Sequence, residues 1–298
     1  MNLSGSGSGF KPAPPHPPAP DPALRPLLPT PRRPFLPFPL EFIDLRHPRY
    51  PSDHPPLTIL HLTDLHVRHR RGWTPSLERV SRVLAHTPVD LAVFTGDAMD
   101  HPGDEDSALT ALARLVSAVR TRLGVVGVFG NHDSAGLRLR ADSIPGITWL
   151  RDDVLDLPGT GIRLLGPEDP EDLVGLALAH HDLGRASPRF DIALTHYPTE
   201  IYPAAQLGIP LVLAGHTHGG QIRLTKNIAP HTSTDLPGRL ASGILRLNDT
   251  LCGVPRGLGE AVVNWRLQCP RQAPVYVLRH GPLADAPAPP ALVRLTAW

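Results

Sequence analysis

"IPLVLAGHTHGGQI", residues 209–222, decides how the rest of the chain is read. An apolar run of strand length breaks into His216 and His218, one residue apart, and then into the pair Gly219–Gly220. In an α/β protein, side chains carried just past the carboxyl end of a buried strand gather at one edge of the sheet, where ligands bind. A His-x-His pair points both rings one way only where the chain is extended. Whether these histidines are ligands or ordinary loop residues therefore depends on how the other strands end.

Working outward, the chain alternates between the two periods. "LTILHLT" (57–63), "VDLAVFTG" (89–96) and "GVVGVFG" (124–130) read as buried strands. Between them, "SLERVSRVLAHT" (76–87) has helical spacing, and 105–123 is expected to be a helix with Leu109, Leu112, Leu115, Val116 and Val119 on one face. Shorter segments at 146–166 are spaced like hairpins. "FDIALTH" (190–196) is a further buried strand and "APVYVLR" (273–279) a last one. Apolar strands separated by helices argue for one α/β domain with a mixed sheet system and no internal repeat.

The strand ends carry one consistent set of residue types. The first runs into Asp64 and His66, and the second into Asp97 with Asp100 three residues on. The third runs into Asn131, His132 and Asp133; the later two deliver His196, His216 and His218. Each alone has a plain explanation. Asp64 can cap a turn, "GNHD" can be a turn, and with 16 histidines in the chain a lone His196 can be a satisfied core residue. Five strands ending alike is another matter. Carboxylate, imidazole and amide oxygen suit Mn, Fe or Zn, and the lack of thiolates argues against a structural zinc. A shared carboxylate can bridge two ions roughly 3.5–4 Å apart, and such ions bring the pKa of bound water down to about 7. Gly96, Gly130, Gly215, Gly219 and Gly220 leave the backbone room to turn tightly there.

The bulk numbers set limits. The 298 residues are 41% apolar and 19% charged, ordinary for a globular chain with a substantial core. A net charge of +1 gives no push toward nucleic acid. Cys252 and Cys269 are the only cysteines, which fits free thiols in a reducing cytoplasm, and no apolar run reaches membrane-helix length or forms a signal-peptide core. The expectation is a cytoplasmic protein. Of 37 prolines, 17 lie in the first 56 residues, so residues 1–38 read as a Gly/Ser- and Pro-rich disordered tail and 39–298 as the domain. "RRPFLPFPLEF" (32–42) mixes arginines with large apolar residues; it either touches a membrane surface peripherally or docks on its own domain.

In this order, "DLH", "GDAMD", "GNHD", "THYP" and "GHTHGGQ" resemble the calcineurin-like metallophosphoesterases. "GHTHGGQ" and the late "RGLG" look most like the compact bacterial phosphoesterases of the YkuE/YaeI type, related to UDP-2,3-diacylglucosamine pyrophosphatases. The resemblance implies a four-layer sandwich of two mixed β-sheets flanked by helices. It implies two divalent metals, Mn first and Fe or Zn as alternatives, and in-line attack by a metal-bridging hydroxide. Asp64, His66 and His218 would hold one metal, Asn131, His196 and His216 the other, and Asp97 would bridge both. His132 would stabilise the phosphoryl oxygens or protonate the leaving group, oriented by Asp100. Relatives of this branch often begin with a membrane helix or export signal, which this chain does not show, and residues 134–190 supply only a modest lid.

The expected activity is hydrolysis of phosphodiester, phosphomonoester or pyrophosphate bonds, with nucleotide-sugar or lipid-linked substrates ahead of nucleic acid. Arg223, Arg256 and Arg266 are the candidates for substrate phosphate, because a guanidinium offers paired donors; surface or salt-bridging roles are their plainer reading. The reading from a different class is a non-catalytic scaffold that binds partners through its proline-rich tail. Deleting residues 1–38 separates the two: hydrolysis of an aryl phosphodiester should be unchanged, and a loss of turnover would show that the tail belongs to the catalytic unit.

Overall fold

The computed structural model describes residues 25–26, 40–225, 228–283 and 291–292. The chain runs β1 (Arg25–Pro26), β2 (Glu41–His47), β3 (Leu57–Leu62), α1 (Pro75–Ala85), β4 (Leu91–Thr95), α2 (Glu105–Ala118), β5 (Val125–Val128), α3 (Ala135–Arg140) and β6 (Ile147–Trp149). It continues through β7 (Asp153–Leu157), β8 (Ile162–Gly166), α4 (Leu173–Ala179), β9 (Phe190–Leu194), α5 (Ile201–Leu207), β10 (Leu211–Leu213), β11 (Gly243–Leu247), β12 (Thr250–Val254), β13 (Val275–His280) and β14 (Ala291–Leu292). One sheet has the order β14-β2-β13-β3-β4-β5-β6 and the other β1-β11-β12-β10-β9-β8-β7. Both are mixed. β3 to β6 are parallel, as are β8, β9, β10 and β12, while β7, β11 and β1 run against their neighbours.

Period-two alternation within the strands builds three cores from two sheets. In β3 and β4, Leu57, Ile59, Leu91 and Val93 face Ile192, Leu194, Leu211 and Leu213 of the other sheet. Their neighbours Leu60, Leu62, Ala92 and Phe94 pack instead beneath Leu77, Val80 and Leu84 of α1 and Leu109, Leu112 and Leu115 of α2. On the far side, Ala193, Val212 and Cys252 meet Leu173 and Leu176 of α4 and Ile201 and Ala204 of α5. The layers are therefore helix, sheet, sheet, helix. Strands buried on both faces have no polar side to show, which is why they read as continuous apolar runs.

Local signals set the helix starts. Thr74 caps α1 by accepting from the Leu77 amide, with Pro75 in the first turn. α2 stops at Ala118, five residues short of the expectation, because tertiary pairing claims the next stretch of chain: Arg120 accepts from the Val89 amide, and Asp90 accepts from Arg122 and Leu123. A second difference concerns 146–166. β7 and β8 form a hairpin as expected, but β6 joins the other sheet, parallel to β5. Of residues 1–38, Arg25 and Pro26 pair antiparallel with β11; the rest of the expected tail lies outside the described residues.

Ile192 has no exposed surface between the sheets. Ile192→Ala should lower the unfolding free energy by about 2–5 kcal/mol in chemical denaturation. Val174→Ala, on the exposed side of α4, should change it by no more than about 0.5 kcal/mol. Equal effects would contradict the layer assignment.

Candidate active site

The singled-out strand ends come from both sheets: β3, β4 and β5 from one, β9 and β10 from the other. Their parallel pairing sets the carboxyl ends side by side, with Thr95 opposite Val128 and Leu213 opposite Leu194. The chain then turns sharply. Asp64, His66, Asp97, His216 and His218 adopt φ of 54°, 41°, 58°, 72° and 52°. For non-glycine residues this left-handed region is strained, of order 1–3 kcal/mol each, and it persists only where the surroundings over-determine it.

The surroundings do so. The Asp97 carbonyl accepts from the Leu65 and His66 amides at 2.8 and 3.1 Å. The Asp133 carboxylate accepts from the amides of Gly130, Asp97 and Ala98 at 2.8–2.9 Å, tying the β4 and β5 loops together. The Asp64 carbonyl accepts from Leu258 and Gly259, in the "RGLG" segment. Two glycines are required by contact: a Cβ at Gly130 would lie 2.2 Å from Asp97 Oδ1, and one at Gly257 2.6 Å from Asp64 Cβ.

Among the described residues three close Asp/His groups form; one is His66, Asp100 and His132, and the other two hold the expected ligands. Asp64, His66 and His218 offer atoms within 4.8 Å of one another, and so do Asp97, His196 and His216. Asp97 Oδ2 joins them, 3.3 Å from His66 Nε2 and 3.1 Å from His196 Nε2. Groups that can only accept set the tautomers. His196 Nδ1 donates to the Thr95 carbonyl at 2.7 Å, and His216 Nε2 to the Ser233 carbonyl at 2.6 Å. His66 Nδ1 donates to Asp100 Oδ1 at 2.8 Å. The remaining nitrogens turn inward: His216 Nδ1 stands 3.3 Å from His196 Nε2, and His66 Nε2 stands 2.9 Å from Nε2 of His218, whose Nδ1 faces the Arg266 guanidinium at 3.4 Å. Asp64 Oδ2 is buried with no hydrogen-bond partner. The inward nitrogens, Asp97 Oδ2 and the orphaned Asp64 oxygen crowd one small volume, which calls for protons or metal cations between them.

The electrostatics agree. Burial works against charging His66 and His196, yet neighbouring carboxylates outweigh it, Asp100 and Asp97 for His66 and Asp97 for His196. They raise the two imidazoles to about 10 and about 9. Without metal, the site thus holds protons where it wants positive charge. Burial pushes His216 down to about 4, helped by His196, and burial with His66 holds His218 well below its ordinary range. Burial also raises Asp64 and brings Asp133 up to about 6, Asp97 adding to each. Hard oxygen and imidazole donors with this charge demand fit divalent metals.

Three expectations need correction. The Asp100 carboxylate does not pair with His132. It holds His66 and accepts from Arg68 Nε at 2.5 Å, while His132 Nδ1 donates to the Asp100 main-chain carbonyl at 2.6 Å. Arg223 and Arg256 do not face substrate, being 0% and 2% exposed. Arg223 donates to the carbonyls of Gly219 and Gly238, and Arg256 to that of Pro270 and to buried Glu41. Arg266 likewise lies beneath His218, donating to the carbonyls of Arg256 and Gly259. These guanidiniums brace the loops under the ligands. Asn131 is exposed, and the His132 ring lies edge-on to His66, centroids 4.7 Å apart. Sequence reasoning missed Arg68 and Ser233; no motif marks a main-chain carbonyl.

A helix–sheet–sheet–helix sandwich with paired Asp/His clusters across its strand ends defines a metallophosphoesterase. The family described as calcineurin-like phosphoesterase matches residues 57–220, more than half of the chain. The chain belongs to that family, and it is a hydrolase of phosphoesters. It is 28% identical over 215 residues to the metallophosphoesterase YkuE of Bacillus subtilis (strain 168), covering 68% of this chain and 72% of that one. A second metallophosphoesterase of that organism, YkoQ, is 24% identical over 225 residues, covering 71% and 79%. Among solved structures, TT1561 of Thermus thermophilus superposes with a TM-score of 0.44 at 14% identity, covering 68% of this chain and 90% of that one.

Asp133 provides a test of the loop brace. Asp133→Asn sets an amide donor against backbone donors, so it should cost about 1–3 kcal/mol for an unsatisfied buried group and lower bound metal in elemental analysis. Undiminished stability and metal content would remove Asp133 from this role.

Proposed function

We propose that the chain is a dinuclear metal-dependent phosphoesterase acting on phosphodiester, phosphomonoester or pyrophosphate bonds. The observation that carries this reading is the convergence of the imidazole nitrogens and Asp97 Oδ2 beside the orphaned Asp64 Oδ2, each ring aimed from behind by a carbonyl or carboxylate. Asp64, His66 and His218 would hold one ion; Asn131, His196 and His216 would hold the other, with Asp97 shared. When bound, two such ions supply positive charge to the phosphoryl oxygens and acidify water at neutral pH.

The chain's own residues do the rest. Asp100 fixes the His66 ring for its ligand role. His132, with Nδ1 committed to the Asp100 carbonyl, keeps Nε2 for a phosphoryl or leaving-group oxygen and holds the proton transferred there. The amides bound by Asp133 keep the β4 and β5 loops rigid while charge develops between them. Manganese is the working metal, nucleotide-sugar or lipid-linked phosphates the substrate class, residues 39–298 the catalytic domain and the cytoplasm its location. Among the described residues, no helix is long and apolar enough to cross a membrane.

Chelator treatment of the full-length protein should abolish hydrolysis of bis(p-nitrophenyl) phosphate, and added Mn should restore it. Asp97→Asn should lose both metal and turnover. His132→Ala should keep its metal but lose about 10²–10⁴ in kcat. Metal-independent turnover, or wild-type rates in either variant, would overturn the assignment.

A further inference from the structure

Five of the eight large apolar side chains exposed among the described residues lie on two loops next to His218: Leu224, Ile228, Val262, Trp265 and Leu267. The loops are laced together, Ile222 bridging Leu267 and the Arg223 amide donating to the Leu267 carbonyl at 2.9 Å. Gln221, the last residue of "GHTHGGQ", builds the second loop. Its side-chain amide donates to the carbonyls of Ala261, Val263 and Trp265 at 2.9–3.3 Å, and its Oε1 accepts from the Ala261 amide at 2.9 Å. Inside this clamp the Val263 amide closes a tight turn onto the Ala261 carbonyl at 2.6 Å, forcing Val262 to φ 57°. A β-branched residue at positive φ is a marked outlier. The result is a valine left 83% exposed next to an exposed tryptophan. A surface this costly in strain and hydration is constructed, and an apolar patch of this kind marks a contact.

The charge beside the patch identifies its partner. The segment "HVRHRRGW" (66–73) leaves the site along the same edge. Arg68 donates to Asn264 Oδ1 and to the Glu260 carbonyl, which seats the run against the apolar loop. Arg68, Arg71, Asn264, Glu260 and Arg271 line one small cavity there. The acids at this edge are already engaged, Asp100 with Arg68, Asp104 with His69 and Glu260 with Arg271. Arg70 and Arg71 are exposed and make no ion pair among the described residues. Tryptophan and aliphatic tips flanked by unpaired arginines match an anionic lipid interface, where rings sit at headgroup depth and each cation contributes near the surface.

We propose that loop 260–267 and arginine run 68–71 form a docking surface for an anionic lipid bilayer. The surface would bring the strand-end site to the membrane plane, so that phosphoesters carried by lipids reach it without leaving the bilayer. Binding to lipid is read independently of catalysis, so its failure and that of the phosphoesterase reading are distinguishable.

The test is co-sedimentation of the full-length protein with vesicles of phosphatidylcholine alone and of equimolar phosphatidylcholine and phosphatidylglycerol. The wild type should bind the anionic vesicles, less so as salt rises. Val262→Asp with Trp265→Asp should weaken binding by more than about tenfold, and Arg70→Ala with Arg71→Ala by about fivefold for each arginine. Both double variants should hydrolyse soluble bis(p-nitrophenyl) phosphate at the wild-type rate, showing that they fold. Binding that survives both sets of substitutions, equal binding to neutral vesicles, or no binding by the wild type would overturn the proposal. So would a wild-type dimer that ignores vesicles and that Val262→Asp dissociates, since the patch would then belong to a second copy.

Discussion

Everything at the strand ends is arranged around one carboxylate. Asp97 presents Oδ2 to two imidazoles from different sheets and Oδ1 to the His132 amide at 2.9 Å. Its own carbonyl and amide are held by the β3 loop and by Asp133. Burial alone would raise its pKa, but His196 and His66 overcome this and keep the carboxyl well below the usual range. A fully buried anion in that position is tolerable only while positive charge surrounds it. The imidazoles are in turn aimed by carbonyls and by Asp100. Removing any one partner leaves the others uncompensated, so the cluster behaves as a unit.

That unit spans a seam. Three of its strands belong to one sheet and two to the other, and the apolar layer between the sheets sets their separation. Ile59, Val93, Ile192 and Leu213 thus act on the site through packing alone. Interiors close-packed like organic crystals transmit a lost methylene as a shift, and ligand atoms a few ångströms apart leave little room for one. The five left-handed Asp and His residues of the cluster store the remaining cost locally, and the braces from Asp133 and the "RGLG" segment keep it from being released.

The sequence showed more of the site than of its supports, and the reasons are physical. The Asp and His residues that cluster at the strand ends were legible because hard donors followed apolar runs five times over, a pattern that burial cannot imitate. Arg223 and Arg256 misled because their donors read the same whether they meet phosphate or carbonyl oxygens; only burial tells them apart. Asp100 was placed on the wrong histidine because spacing says nothing of which oxygen of a residue, side-chain or main-chain, does the bonding. In the fold, β3, β4, β5, β9, β10 and β13 were visible as apolar runs. α5 was not, since Pro203 argues against a helix unless it falls in the first turn, as it does here. β6 could not be assigned to a sheet, because a three-residue strand carries no partner preference in its own residues.

One topological detail bears on how the molecule comes into being. β13, from the far end of the chain, lies between β2 and β3, pairing Val275 with both Phe42 and Leu60. Until some 280 residues have emerged from the ribosome, β2 and β3 have a gap where their common neighbour belongs. Closing it is a contact of very long sequence separation, the slow kind whose loop entropy must be met before any pairing is gained. β3 carries Asp64 and His66 at its end, so the first ligand strand waits for the last long strand. The nascent chain can form much of the second sheet early, but the metal-binding pocket matures only after translation has passed it by.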